Sequence, residues 1–176
     1  MSKFIDTAID DVKIFSPSLF KDDRGYFFES YNENIFQTNL KKIRFIQDNE
    51  SESKFGILRG LHFQKEPWQQ SKLVRVIKGK IQDVAVDLRI DSPTFKKYVS
   101  VILDDQNKKQ LFIPKGFAHG FLVLSNQAIV SYKVDAYYSQ SYDSGIKYDD
   151  PTLNINWLLE KKDIILSDKD SQLPYL

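Results

Sequence analysis

Two histidines are the first residues of this chain whose type and setting suggest chemistry. His62 lies in the stretch RGLHFQ beside Arg59, and His119 lies in IPKGFAHGF between glycines and phenylalanines. An imidazole has an unperturbed pKa of about 6.5, so it can accept a proton from a substrate near neutral pH. The same ring can instead be a core side chain whose hydrogen bonds are satisfied. The two histidines alone leave both interpretations open.

Charged residues in the neighbouring strand-like stretches favour a site. Lys72 opens the stretch that follows His62, and Asp83 and Asp87 alternate with apolar residues in the next one. The interior of a small β-barrel is normally filled by apolar side chains, so a face with these charges is either solvated or lines a cavity. A histidine base, a cation that stabilises an anion and a tyrosine acid together would suit proton transfer.

Other chemistries find little support in the sequence. The chain has no cysteine, which excludes disulfides, thiolate nucleophiles and zinc–thiolate sites. It has no glycine-rich phosphate-binding loop, no HExxH motif and no serine in a nucleophile-elbow context. A cupin-type metal site needs two or three grouped histidines with a carboxylate, whereas the only two histidines are 57 positions apart. We therefore expect no metal.

Length and composition predict one globular domain covering residues 1–176. With 25 Lys and Arg against 24 Asp and Glu, the net charge of +1 argues against nucleic acid or a membrane surface as partners recruited by bulk charge. The acidic residues near the start do not fit a signal peptide, and no apolar run approaches the ~20 residues of a membrane span. A soluble cytoplasmic protein is expected.

Most of the chain shows the period of two that is typical of β-strands. In DVAVDLR (83–89) apolar and charged residues alternate, and KLVRVIKGKIQDVAVD (72–87) predicts a hairpin that turns at Gly79. Only residues 32–40, with Asn32 as N-cap, and residues 156–166 look helical. The sequence therefore predicts an all-β sandwich or barrel with a few short helices.

Several motifs taken together resemble one family, the dTDP-4-dehydrorhamnose 3,5-epimerases, which are cupin-type epimerases of sugar nucleotides. The matching stretches follow the family order over nearly the whole chain: DDRGYFFESY (22–31), QDN (47–49), RGLHFQ (59–64), QSKLVRVIKGKIQDVAVDLRIDSPTF (70–95), IPKGFAHGFLVLS (113–125), YKVDAYY (132–138), DDP (149–151) and LSDKD (166–170). The resemblance implies a jelly-roll (cupin) barrel, a homodimer, no cofactor, and a sugar nucleotide, dTDP- or GDP-linked, that enters one open end.

The resemblance also implies roles for individual residues. His62 corresponds to the base, Asp170 to the carboxylate that orients it, Tyr132 to the acid on the opposite face of the sugar, and Lys72 to the cation near the developing enolate. Asp83 is the expected partner of His119. Substrate contacts are expected at Arg24, Glu29, Gln47, Asn49, Arg59, His119, Tyr138, Asp143 and Lys169.

These roles fit the chemistry of a 4-keto sugar. The hydrogens on C3 and C5 are both α to the C4 carbonyl, so removal of either gives an enolate with its charge on O4. A lysine aimed at O4 stabilises charge that exists only as the reaction proceeds. Inversion then needs a proton from the other face. The alternatives are an epimerase acting on C3 only or C5 only, a ketoisomerase, and a cupin that binds a sugar nucleotide without turning it over.

The loop 137–146 departs from the family pattern. The family commonly has a proline and a glutamate there, where this chain has Gln140 and Asp143, and Tyr142 is an additional aromatic residue. Phe63 replaces the usual tyrosine after the RGLH histidine. Because the loop approaches the nucleotide in the family, one hypothesis is that the substrate carries GDP or another nucleotide, or a heptose.

Overall fold

Two antiparallel sheets form the body of the protein, which a computed structural model describes over residues 2–40 and 43–176. The six-stranded sheet has the order β1 (Lys3–Asp6), β2 (Lys13–Ser16), β10 (Gln110–Ile113), β7 (Lys72–Lys78), β12 (Gln127–Val134) and β5 (Gln47–Lys54). The five-stranded sheet has the order β13 (Asp143–Gly145), β6 (Leu58–Gln64), β11 (Phe117–Val123), β8 (Lys80–Asp87) and β9 (Tyr98–Asp104). A separate hairpin pairs β3 (Phe20–Asp22) with β4 (Gly25–Phe27). The predicted all-β fold is confirmed.

From β5 onward, most consecutive strands belong to opposite sheets, so the chain winds back and forth around the interior. The expected hairpin at Gly79 is therefore wrong. The turn is where it was predicted, with Gly79 at φ +86, but β7 joins the six-stranded sheet and β8 joins the five-stranded one. A Cβ at this glycine would lie 2.1 Å from the carbonyl oxygen of Gln127. The local pattern of two strands and a turn is the same for a hairpin and for a corner between sheets.

The interior between the sheets is apolar over part of its length. Val74, Val130, Ala85 and Phe117 belong to one buried cluster to which both sheets contribute. Burying a valine or phenylalanine side chain contributes about 1.5–3 kcal/mol. The same interior face of β8 carries Asp83, which is fully buried.

Both faces of β8 are covered, so its charged face is not solvated. Val84 and Val86 pack on the outer side against residues of the C-terminal segment. Asp87 is also fully buried, and its carboxylate accepts hydrogen bonds from the side chains of Arg89, Ser92 and Thr94 at 2.6–2.9 Å. These partners make Asp87 part of a structural network at the end of the strand.

The predicted helix at residues 32–40 is present as α1 (Glu33–Asn39), and its N-cap is Asn32 as expected. The Asn32 side chain accepts hydrogen bonds from the backbone N–H groups of Asn34 and Ile35. Phe36 is buried against the outer face of the six-stranded sheet. In the described part of the chain, no helix combines the length and the apolarity that crossing a bilayer would take.

The expected helix at residues 156–166 is wrong. This segment contains only a single 3₁₀ turn, Lys161–Asp163, and otherwise runs over the outer face of the five-stranded sheet. Gln82 explains the difference, because its side-chain amide donates to the carbonyl of Asn156 and accepts from the N–H of Leu158, both at 2.8 Å. The backbone groups that would start a helix are thus bound to the sheet. A short helix, α2 (Asp168–Ser171), follows.

Candidate active site

Two adjoining cavities lie between the sheets, and most of the predicted site residues line them. The Gln47 cavity, of about 210 Å³, is lined by Gln47, Asn49, His62, Phe63, Gln64, Gln70, Lys72, Tyr132, Tyr138, Asp143 and Lys169. The Arg59 cavity, of about 290 Å³, is lined by Ser51, Arg59, His62, Lys72, His119, Phe121, Tyr132, Ser167, Lys169 and Asp170. Four residues line both cavities and form their common wall: His62, Lys72, Tyr132 and Lys169.

A β-bulge places Arg59 and His62 in the same cavity. The two residues are three positions apart on β6, a spacing that would put them on opposite faces of a regular strand. The register between β6 and β11 shifts between these positions, so that β6 contains one extra residue. Gly60 lies in the bulge at φ +126, and a Cβ there would be 2.5 Å from the Cα of Gly120. Glycine at this position allows the close approach.

His62 is hydrogen bonded to Asp170, which lies on α2 and comes 108 positions later in the chain. The distance from His62 Nε2 to Asp170 Oδ1 is 2.5 Å, and Asp170 is buried. Burial disfavours ionisation, but hydrogen bonds from His62, Ser167 and the Gly60 backbone outweigh it and lower the pKa of Asp170. Because an ionised carboxylate only accepts, Nε2 carries the hydrogen and Nδ1 keeps the free lone pair that a base requires.

Lys72 and Tyr132 approach from the facing sheet. They lie on the neighbouring strands β7 and β12, with the Lys72 Nζ 6.0 Å from the centre of the Tyr132 ring. Burial lowers the pKa of Lys72 to about 8, although Asp83 and Asp143 favour its charged form. Burial raises the pKa of Tyr132 and keeps its hydroxyl protonated. The site therefore contains a cation and a protonated tyrosine hydroxyl on the sheet that faces His62.

His119 pairs with Asp83, as expected. The distance from His119 Nε2 to Asp83 Oδ1 is 2.7 Å, and both side chains are buried. Burial lowers the pKa of His119, although Asp83 favours the imidazolium, so the ring is neutral near pH 7. The second oxygen of Asp83 has no hydrogen-bond partner among the described residues.

The remaining predicted contacts at the Gln47 cavity are linked by their own side chains. Asp143 accepts a hydrogen bond from the Tyr138 hydroxyl at 3.2 Å and is also paired with Lys169. That pairing raises the pKa of Lys169. Gln47 donates to Asn49 at 2.9 Å, so these two amides are oriented together at the edge of the cavity.

Arg24 and Glu29 lie outside both cavities within a single chain. Arg24 is exposed on the β3–β4 hairpin and is paired with Asp22 at 2.5 Å. Glu29 accepts a hydrogen bond from the Asn32 side chain at 3.0 Å. One chain alone does not bring these two residues to His62.

Sequence reasoning missed several residues that line the cavities: Ser51, Phe63, Gln64, Gln70, Phe121 and Ser167. The period of two contained a signal for three of them. Ser51 comes two positions after Asn49, Gln64 two after His62, and Phe121 two after His119, so each faces the same side of its strand as a predicted residue.

Cavity size alone would have pointed to another place. A cavity of about 920 Å³ lies between the N-terminal loop, the end of α1 and Lys115, and it contains none of the predicted site residues. Within residues 2–40 and 43–176, no three His, Cys, Asp or Glu side chains are grouped as a metal site would require.

The family model for dTDP-4-dehydrorhamnose 3,5-epimerase matches residues 6–176 of this chain. The chain belongs to this family. An epimerase of that name from Methanothermobacter thermautotrophicus is 54% identical over 169 residues, covering 96% of this chain and 91% of the relative. The two sheets described above therefore form the cupin-type jelly roll of this epimerase family.

Solved structures of epimerases agree with this family assignment. The enzyme from Bacillus anthracis, with TDP and pyrophosphate bound, has a TM-score of 0.96 and 51% identity, with all of both chains covered. The enzyme from Legionella pneumophila, in complex with dTDP-4-keto-L-rhamnose, has a TM-score of 0.96 and 45% identity, covering 99% of this chain and 93% of the other. The bound sugar nucleotide belongs to that protein.

Proposed function

We propose that this protein is an isomerase that inverts C3 and C5 of a dTDP-linked 4-keto-6-deoxy sugar. The observation that carries the proposal is the position of the base and the acid on facing sheets. His62 projects from β6 of the five-stranded sheet and Tyr132 from β12 of the six-stranded sheet, and both line the same two cavities. A sugar ring between them presents one face to each, which is what inversion of a carbon centre requires.

The proton transfers follow from this arrangement. His62 Nδ1 takes the proton from C3, and the electron pair of the broken C–H bond moves into the ring to give an enolate on O4. The Lys72 ammonium stabilises this oxyanion, which exists only after the proton has left. Tyr132 donates its hydroxyl proton to C3 from the opposite face. His62 then releases its proton to water, Tyr132 recovers one from water, and the same steps invert C5.

Asp170 orients the His62 ring through its hydrogen bond to Nε2. Its carboxylate holds the ring in the Nε2–H tautomer and favours the imidazolium that forms when Nδ1 takes a proton. The hydrogen bond to the buried Asp170 also fixes the position of the imidazole. This matters because a displacement of about 1 Å can lower the rate on the order of 100-fold. No group beyond the chain's own residues is needed for these steps.

We propose that the nucleotide occupies the Gln47 cavity. Tyr138 is 56% exposed there, so its ring is free to stack on a base. Lys169 is the cation for the diphosphate, and Asp143 is its ion-pair partner. Arg59 and His119 contact the sugar in the Arg59 cavity. We take thymidine as the base, with GDP-linked and heptose substrates as the competing hypotheses.

We further propose that the protein works as a homodimer. The β3–β4 hairpin exposes Phe20, Tyr26 and Phe27 to solvent at 57–70%, a concentration of apolar surface that an interface would cover. If Arg24 and Glu29 bind the nucleotide, they do so in the cavity of a second copy.

Both sheets contribute to the same cavities, which supports a single domain over residues 1–176. We propose cytoplasmic deoxysugar synthesis, feeding a polysaccharide, as the setting.

Proton NMR in D₂O tests the proposed function directly. A dTDP-4-keto-6-deoxyhexose is incubated with the protein, and a GDP-linked sugar and a heptose are incubated in parallel. We expect deuterium at C3 and C5 of the dTDP sugar, together with the new ring couplings of inverted centres. Deuterium at one carbon only would indicate a C3-only or C5-only epimerase. Binding without exchange for all three substrates would refute catalysis and leave a sugar-nucleotide-binding protein.

A further inference from the structure

The carboxylate that orients His62 belongs to a segment outside both sheets. Asp170 lies on the four-residue helix α2, so its position depends on how the C-terminal segment is attached to the barrel. On the near side of α2, Ile165 forms two backbone hydrogen bonds, donating to the carbonyl of Gly56 at 2.8 Å and accepting from the N–H of Leu58 at 3.0 Å. Ser167 then caps α2 by accepting from the Asp170 N–H.

A second attachment lies on the far side of Asp170. Leu173 packs on Gly145, where a Cβ would be only 2.7 Å from a Leu173 methyl carbon, and Gly145 is the β13 residue opposite His62. The Lys147 N–H donates to the carbonyl of Pro174 at 2.8 Å. These contacts hold the C-terminal segment against β13, the strand that pairs with β6 at His62.

Asp150 completes this second attachment. Its Oδ2 accepts a hydrogen bond from the backbone N–H of Leu176 at 2.6 Å. Its Oδ1 accepts from the N–H groups of Thr152 and Leu153, so the side chain connects its own turn to the C-terminal segment. Asp150 is 1% exposed and has no cationic partner within 4 Å among the described residues.

The ionisation of Asp150 is maintained by these backbone donors. Burial opposes the charge, but the N–H groups of Leu176, Leu153 and Thr152 outweigh it and lower the pKa of Asp150. A hydrogen bond to a charged group is stronger than one between neutral groups. The hydrogen bond from the Leu176 N–H to Asp150 therefore anchors a C-terminal segment that has little regular secondary structure.

We propose that Asp150 is a positioning residue of the active site, which fixes the C-terminal segment so that Asp170 remains on His62. The proposal rests on the proposed function only for its effect on catalysis. Asp170 lies between two attachments, at Ile165 and at Leu173–Leu176. Without the second one, α2 is held from one side only, and the Asp170 carboxylate spends less time on Nε2.

The matched variants are Asp150→Asn and Asp149→Asn. Asparagine retains one acceptor oxygen, which cannot serve both the turn and the Leu176 N–H. Asp149 is the adjacent residue, and its carboxylate pairs with Lys161 at 2.8 Å rather than with the C-terminal segment. Leu173→Ala is a second test variant, because it weakens the same attachment without touching Asp150.

The first readout is the imidazole NMR spectrum of ¹⁵N-histidine-labelled protein without substrate. The chain contains two histidines, so one His119→Asn sample assigns both rings. In the unmodified protein we expect a slowly exchanging Nε2–H proton on His62. In Asp150→Asn and Leu173→Ala this proton exchanges faster and the ring samples both tautomers, whereas Asp149→Asn retains the original spectrum.

The second readout is steady-state kinetics at a temperature well below the melting point of each variant. We expect kcat to fall by about 10- to 100-fold in Asp150→Asn, with KM changed less than about twofold. An unchanged His62 proton in both test variants overturns the proposal, whatever happens to kcat. If the spectrum changes as expected but the unmodified protein epimerises no sugar nucleotide, the positioning role stands and the proposed function fails.

Discussion

The two histidines each bind a buried aspartate, but the two pairs differ in the part of the chain that supplies the aspartate and in how far the histidine is exposed to the cavities. They lie directly opposite each other across β6 and β11. The His119 side chain is 7% exposed and its partner Asp83 lies on the next strand of the same sheet. The His62 side chain is 28% exposed and its partner Asp170 arrives from the C-terminal segment.

Under the proposed roles, an Asp–His pair is not enough to make a base, because the histidine also needs access to the substrate and to water. His62 faces both cavities with a free Nδ1, whereas His119 reaches only the Arg59 cavity and has a pKa lowered by burial. A base must accept a proton and then lose it to water, which requires access. A binding residue needs a fixed ring with one defined tautomer.

Replacing the proposed base should have the largest effect. His62→Asn keeps a polar side chain of similar reach but removes the proton acceptor, so kcat should fall by about 10²- to 10⁴-fold with little change in KM. Loss of deuterium incorporation from D₂O measures the step itself. Turnover equal to that of the unmodified protein would eliminate His62 as the base.

Lys72→Met should lower kcat by about 10²- to 10³-fold, because the enolate loses its cation. Steady-state kinetics at pH 7 measures this loss.

The unmodified enzyme should also lose activity as pH rises through about 8, where Lys72 loses its charge beside Asp83, Asp143 and His119. Lys72→Arg stays charged and should remove this alkaline limb, although its rate is lower at every pH. A limb that persists in Lys72→Arg would assign it to another group.

The same residue should destabilise the fold below its pKa. Because the folded pKa of about 8 lies below the ordinary lysine pKa of 10.5, the unfolded chain binds more protons between these values, and stability rises with pH across that window. Lys72→Met should therefore raise the melting temperature at pH 7 and abolish that rise. A lower melting temperature in Lys72→Met would contradict the cost of burying the charge.

Tyr132→Phe should separate proton removal from inversion. The variant retains His62 and Lys72, so deuterium should still exchange at C3, while formation of inverted product falls by about 10²-fold for lack of a donor on the opposite face. NMR in D₂O follows both quantities in one sample. Parallel loss of exchange and inversion would show that Tyr132 is not only the acid.

His119→Asn should have the smallest effect. It removes one hydrogen-bonding ring from the Arg59 cavity, worth about 1–1.5 kcal/mol, so KM should rise by about tenfold while kcat changes little. Steady-state kinetics beside His62→Asn gives the contrast. A fall in kcat as large as that of His62→Asn would remove the distinction between the two pairs.

Local sequence patterns predicted many of the secondary-structure elements because the causes of those elements are local. The period of two identified strands such as β8, and Asn32 marked the start of α1, since capping depends on groups two or three residues away. Family motifs identified His62, Lys72 and Asp170, and the fold brings them together. The helix expected at residues 156–166 failed because Gln82, more than 70 positions earlier, binds that backbone.

By itself, the sequence determined the fold class, most of the strands, the family and most of the residues at the cavities. The tertiary structure alone decided that β7 and β8 separate into two sheets, that a bulge at Gly60 turns Arg59 and His62 to one side, and that a distant tail supplies the partner of His62. Periodicity and turn residues act over a few positions, whereas the pairing of strands and the return of a tail depend on which distant surfaces bury each other.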